Sequence, residues 1–410
     1  MAIIRPFRGY LPLPDQAKEI SSPPYDVLSS EEAREIVQSN PKSFLRVIKP
    51  EIEFDKDNNF SSERIHAVAK KNLDELIENK QFLRDDKPCF YLYQICMGQH
   101  TQTGIVSEVS VQEYDDGLIK KHEHTRPKKE NDRTKHIQIT KANTGPVFLT
   151  FKNDGKFKNL IENITKKKPY ISFKAEDHTV HSIWKLESNF IIENIENYFK
   201  SINELYIADG HHRAASASRV KKIKQGSNLK HSGEESYNFF LSVIFPHDQI
   251  QILGYNRLVN TSHIDQENLM NLISLNFKIS ELSKGREPTS KSTVVMYYSG
   301  SWYDLAFRKK LSSNNSVSNL SASILQNYLL KPFLKIDDPR TSDKIEFIGG
   351  VKGLKELENR CSEQKMIAFV MFPVKMDDLF IVADAGKVMP PKSTWFEPKL
   401  RSGVVVRLLD

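Results

Sequence analysis

Short runs rich in Val, Ile, Phe and Tyr recur along the whole chain, interleaved with amphipathic helical segments, and the two kinds do not alternate strictly. "CFYLYQICM", "TGIVSEVSVQEY", "PVFLTF", "YNFFLSVIF", "IQILGYNRLV" and "STVVMYYSG" carry the β-branched and aromatic residues of strands. Helical spacing predicts helices near 155–165, 187–203, 213–224, 264–275, 319–331 and 351–364. Ser29 or Ser30 can cap a further helix that Asn40-Pro41 ends, and Ile65, Val68, Ala69, Leu73, Leu76 and Ile77 form one face of another. No self-similarity of the period that marks solenoids and propellers is present. The pattern predicts an α+β or mixed α/β fold, with mixed β-sheets flanked by helices.

A chain of 410 residues with 39% hydrophobic content exceeds one minimal core. The expected division is a main region, 1–265, carrying the motifs, and a C-terminal α/β region, 266–410. Its tail is expected to pack back on the core, because Trp395, Phe396 and Val404–Val406 would be costly to leave in water. Two polar stretches, 224–236 and 283–292, read as surface loops or joints. No apolar run approaches the roughly 20 residues of a membrane span. "MAIIRPFRGY" has no apolar core of a secretory signal, so a cytoplasmic protein is expected. Cys89, Cys96 and Cys361 suit neither a zinc knuckle nor a redox pair, and read as reduced thiols. The net charge of +7 is scattered in short runs such as "VKKIK", which read as solvated faces and select no partner.

Chemistry concentrates in "YIADGHHRAASA". "LYIA" reads as a strand, "DG" as a turn and "HHRAASASRV" as a helix start, so Asp209 to Arg213 lies at a helix N-terminus. Free N–H groups and the helix dipole there favour an anion. Gly210 lets a ligand approach the backbone, and Arg213 offers a planar fork for phosphate or carboxylate. His211 and His212 can move a proton near neutral pH, while Asp209 can orient a histidine, hold a metal or act as a base.

The second cluster, "GLIKKHEHTRPKKENDRTKH", holds Lys121, His122, Glu123, Thr125, Arg126, Lys129 and Arg133, and reads as a charged loop whose interleaved signs could line a pocket. Metal ligation by His122 and Glu123 is open, but the spacing matches no zincin. Asn143 precedes a strand, Tyr25 and Asp26 follow a rigid Pro-Pro turn, Arg46 falls on an expected strand, and Asn256 and Arg257 lie in "YNRLV".

These segments, with "RPFRG", "SPPYDV", "NPKSFLRVIKPE" and "ANTGPVF" beside them in order, resemble the bacterial and archaeal proteins grouped as domain of unknown function 1015. The resemblance implies hydrolysis of O-phospho-L-serine to serine and phosphate, the last step of serine biosynthesis, as in the members that look like phosphoserine phosphatases. "ADGHHR" also resembles the phosphate-contacting motif of free-serine kinases with a ParB/sulfiredoxin-like fold. That resemblance implies a kinase using ATP or ADP, and a ParB-like element around the motif. A third alternative is a ParB-like nucleic-acid-binding module. On the phosphoserine reading, Arg213, Lys121 and Arg133 neutralise phosphate, and His211 or His212 handles the proton. Asp209 and Glu123 orient a histidine or hold Mg²⁺. Thr125, Arg126, Lys129, Asn143, Tyr25, Asp26, Arg46, Asn256, Arg257 and Gly210 complete the expected substrate site. No Walker-type loop is present. The expected partner is a small molecule; nucleic acid and membrane are not expected, and a homodimer is left open.

Overall fold

The computed structural model describes residues 2–55, 60–260, 266–311, 316–363 and 366–409. The chain divides into two compact units: unit 1 is Met1–Lys121, Thr125–Ile250 and Pro398–Asp410, and unit 2 is His122–His124 and Gln251–Glu397.

In unit 1 the strand-like runs build one nine-stranded mixed sheet. In chain order its strands are β1 (Ile4–Arg5), β2 (Phe90–Met97), β3 (His100–Ser110), β4 (Ile119–Lys120), β5 (Val147–Phe151), β6 (Ile171–Lys174), β7 (Val180–Leu186), β8 (Leu205–Asp209) and β9 (Phe239–Pro246). The spatial order is β4-β8-β5-β9-β3-β2-β7-β6, with β1 pairing to β3. Two pairs, β4 with β8 and β5 with β9, are parallel, and the others are antiparallel. Central strands such as β9 are buried along their whole length, which explains their near-continuous apolar sequence.

Three helices matter for the site: α1 (Ser62–Glu78), α2 (Pro127–Thr140) and α3 (His211–Ser227). Ala214, Ala215 and Ala217 of α3 pack into the sheet core with Val147, Leu149, Phe240 and Ile244. Their small side chains let the helix lie close to the strands.

The structure corrects four local expectations. Residues 127–140 form a helix, where a charged loop was expected. Its buried positions are Arg133, Thr134, His136, Ile137 and Thr140, so an apolar-periodicity reading finds almost nothing there. Arg46 lies in the helical turn Leu45–Ile48, where a strand was expected. Leu45, Val47 and Ile48 are all buried in one cluster with Phe44 and Leu73, and tertiary packing overrides the β-like composition. The strand beginning at His100 stops at Ser110, whose hydroxyl caps the short helix Val111–Asp115 by accepting from the Glu113 N–H at 3.4 Å. The helix expected to end near 224 runs on to Ser227. The cap of the helix after Tyr25 is Ser29, which forms a reciprocal capping box with Glu32.

Unit 2 contains a six-stranded sheet of β10 (Tyr255–Asn260), β11 (Phe277–Leu282), β12 (Thr293–Tyr298), β13 (Ser301–Phe307), β14 (Ile345–Gly349) and β15 (Met366–Met371). Their order is β11-β13-β12-β15-β10-β14. Gln251–Leu253 and Trp395–Glu397, at the two ends of the unit's main segment, pair as an antiparallel ribbon. Among the described residues no helix is long and apolar enough to cross a membrane.

Candidate functional site

Asp209 ends β8, Gly210 turns, and α3 begins at His211. Gly210 has φ 97°, a left-handed conformation, and a Cβ there would stand 2.9 Å from Arg213 Nε. Only glycine therefore allows both the turn and this arginine position. The N-cap residue Gly210 has no side chain to cap α3, and the start of the helix carries the positive end of its dipole.

Asp209 is anchored by two cations. Lys399 Nζ donates to its Oδ2 at 2.9 Å, and Arg213 Nη2 lies 3.9 Å from its Oδ1. Burial works against its charge, but Lys399 and Arg213 outweigh it and hold the carboxyl far below the usual range. Arg213 also donates from Nη1 to the Pro146 carbonyl.

The charged cluster approaches the same place through α2. The Arg126 N–H donates to His212 Nε2 at 3.0 Å. This makes Nε2 an acceptor and puts the neutral ring's proton on Nδ1. Ser216 Oγ donates to the Glu130 carbonyl at 3.1 Å, and Arg219 Nη1 reaches Glu130 Oε1 at 3.3 Å. Arg133 is buried; it donates from Nε and Nη2 to Asp132 at 2.9 and 2.6 Å, and from Nη1 to the Ile48 carbonyl at 3.1 Å. Its Cζ stands 4.5 Å over the Tyr25 ring. His66 Nε2 braces Asp132 Oδ1 from behind at 3.2 Å.

Tyr25, Arg133, Asn143 and Arg213 line one cavity of about 40 Å³ with His136, Thr144, Gly145 and Ser402. That space holds a few water molecules or one phosphate-sized group. Burial, then the charge of Asp26, pushes the Tyr25 phenol up to about 12, so it stays a protonated donor. Burial, then Arg133, drives His136 down to about 3, and its Nε2–H faces the Val47 carbonyl at 2.9 Å. Two guanidinium groups and a protonated phenol thus line the cavity, and none of its lining residues carries a carboxylate or a thiol.

Lys121, Thr125, Arg126, Lys129, Asp26 and Arg46 are not among the residues that line this cavity. Lys121 is exposed, with Nζ 4.1 Å over the Tyr114 ring. Arg126 and Lys129 are exposed, and Thr125 Oγ1 donates to Glu130 at 2.7 Å. Asp26 is exposed, and Arg46 pairs with Glu53. Asn143 Oδ1 accepts from the Leu241 N–H at 3.2 Å and from Arg407 Nη1 at 3.1 Å. His122 and Glu123 belong to unit 2, where His122 Nε2 meets Thr394 Oγ1 at 3.3 Å. Asn256 and Arg257 lie on β10.

Sequence reasoning missed Lys399, Ser402 and His136. Lys399 lies 190 residues from Asp209 along the chain, and no local pattern announces it.

The chain belongs to the family described as "Protein of unknown function (DUF1015)", which matches residues 4–327. No curated protein matches it. Solved structures similar to it include one titled free serine kinase in complex with AMP, at 13% identity and TM-score 0.37, covering 72% of this chain and 86% of the other. Another is SbnI with C-terminal truncation from Staphylococcus aureus, at 12% identity and TM-score 0.37, covering 72% and 85%. A third is a conserved hypothetical protein from Pyrococcus furiosus, at 13% identity and TM-score 0.35, covering 72% and 90%.

Proposed function

We propose that this protein is a phosphoryl-transfer enzyme whose small ligand is the serine/O-phosphoserine pair, bound in the unit 1 cavity. The observation that carries the reading is that Arg133 of α2 and Arg213 of α3 line one small cavity with Tyr25 and Asn143, in the unit where α3 starts without a side-chain cap. Two guanidinium groups and a phenol held protonated suit a ligand with several anionic oxygens. Phosphoryl transfer asks mainly for positioning and charge neutralisation, which such a site supplies.

Phosphorylation of free serine by a nucleotide is our first reading of the direction. Phosphate-monoester hydrolysis is among the slowest uncatalysed reactions, and the lining offers neither carboxylate nor thiol as a nucleophile. Transfer from a nucleotide to the substrate hydroxyl needs no such group, whereas hydrolysis without one must go by direct attack of a water that the site has to position. Hydrolysis of O-phospho-L-serine is the second reading, favoured by the cavity of about 40 Å³, which is too small for a nucleotide. The free serine kinase structures, at TM-score 0.37, carry no weight in this choice.

In this reading Arg133 and Arg213 hold the phosphoryl oxygens, and Tyr25 donates to the ligand. His211, beside the ionised Asp209, takes the proton of the serine hydroxyl. His212 keeps a positioning role, because its Nε2 is committed to Arg126. Asp209 does not suit Mg²⁺ as it stands, since Lys399 and Arg213 already neutralise it. We therefore route no step through a metal held there.

Purified full-length protein given serine with ATP or ADP should form O-phosphoserine, read by mass spectrometry. Phosphate release from O-phosphoserine without nucleotide would instead establish the second reading. Neither product, with folded protein and added Mg²⁺, would overturn both.

A further inference from the structure

Among the described residues, unit 2 buries a cation with no counter-ion. Of the four arginines buried among the described residues, Arg133, Arg401 and Arg407 each have a carboxylate partner: Asp132, Glu176 and Glu108. Arg257 does not. It sits on β10, 4% exposed, with Phe347 and Phe369 as its cross-strand neighbours. Nη1 donates to the Tyr255 carbonyl, and Nη2 donates to the Lys392 carbonyl at 3.2 Å. Both acceptors are neutral. A guanidinium has five N–H donors; with two used here, three have no partner among the described residues. Burial lowers its pKa to about 10, which leaves it fully charged at neutral pH.

A buried charge without a partner is strongly unfavourable, and an aliphatic side chain would serve packing on this sheet face better. Retaining Arg257 makes physical sense if an anion completes the site. The surroundings indicate which kind. Lys392 Nζ stands 5.2 Å over the Tyr255 ring. Tyr255 packs edge-on against Trp395 at 5.1 Å and Phe347 at 5.9 Å, and the Arg257 Cζ lies 5.5 Å from the Phe347 ring. A planar fork beside aromatic rings fits a phosphate borne by an aromatic base.

We infer that Arg257 anchors a phosphate-binding site in unit 2 that takes a nucleoside di- or triphosphate. The inference rests on the kinase reading proposed above and names one residue of unit 2 as a nucleotide-binding group.

The test is calorimetric titration of full-length wild type and the variants Arg257→Met and Arg257→Lys with ADP, inorganic phosphate and O-phosphoserine. ADP should bind wild type, lose at least tenfold in affinity in Arg257→Met, and weaken in Arg257→Lys, which keeps the charge but not the fork. O-phosphoserine binding should be unchanged in both. ADP binding equal in all three proteins, or no ADP binding to wild type, overturns the inference. Phosphate binding that depends on Arg257 while ADP does not bind retains the anion site and overturns the nucleotide. ADP binding that depends on Arg257 in a protein that ignores O-phosphoserine upholds this site and removes the serine reading instead. Should Arg257→Met fail to fold, hydrogen exchange of wild-type residues 255–259 decides: ADP should slow it, and unchanged exchange counts against the site.

Discussion

Single side chains in unit 1 show how charge is managed around the cavity. Arg213 is held by Asp209 and the Pro146 carbonyl before any ligand arrives, so it is preorganised. Arg213→Ala should weaken O-phosphoserine binding by about 10- to 100-fold, the equivalent of about 1.5–3 kcal/mol for hydrogen bonds to a charged group. Titration calorimetry reads this, and unchanged affinity would move the ligand elsewhere. His136 and His181 give a pH signature. Burial is the first cause in both, and each falls from 6.5 to about 3. A depressed folded pKa means that the unfolded chain takes the proton first, so their stabilising contribution is complete above pH 6.5 and is lost as pH falls towards 3. Wild-type Tm should drop between pH 6.5 and about 4.5, before most carboxylates titrate. His136→Gln should flatten that slope; a flat wild-type profile would contradict the burial reading.

At the level of elements, the strand–glycine–helix junction at 205–227 was readable from sequence, because an apolar strand, Asp-Gly and an Ala/Ser-rich helix start follow one another directly. The helix Pro127–Thr140 was not readable, since its inward face is made of Arg133, Thr134, His136 and Thr140, and polarity there looks like solvent exposure. Only tertiary partners reveal it: the Ile48 and Val47 carbonyls take the Arg133 and His136 donors. The Gly210 junction makes its own prediction. Gly210→Ala should destabilise the fold by about 1–2 kcal/mol from the left-handed backbone. It should also displace Arg213, because the new methyl would meet the guanidinium. Thermal unfolding and O-phosphoserine affinity should fall together; a loss of stability alone would separate the backbone from the site.

For the molecule as a whole, the mixed α/β class followed from the mixture of strand and helix patterns, whereas the return of residues 398–410 into unit 1 depends on contacts far apart in the chain. Lys399 reaches Asp209, the Arg401 guanidinium holds Ser21 through Nε at 3.1 Å and Nη2 at 2.8 Å, and Arg407 binds Glu108. Ser402 pairs with Ser22, close to the loop that carries Tyr25. Removing Arg407, 2% exposed, takes from Glu108 its cation and from Asn143 Oδ1 one of its two donors. Arg407→Ala should therefore cost about 3–5 kcal/mol, read by urea unfolding. A change below about 1 kcal/mol would show that this pair does not hold the segment in place.

The ribbon of Gln251–Leu253 with Trp395–Glu397 bears on how such a chain assembles during translation. The strands contributed by residues 4–246 leave the ribosome long before Lys399, Arg401 and Arg407 are synthesised. Once the ribbon forms, positions 250 and 398 are tethered at close range, and the remaining search is that of a short loop. The intervening unit then works as a clasp: the sooner it matures, the smaller the entropy lost when the final segment locks the first sheet.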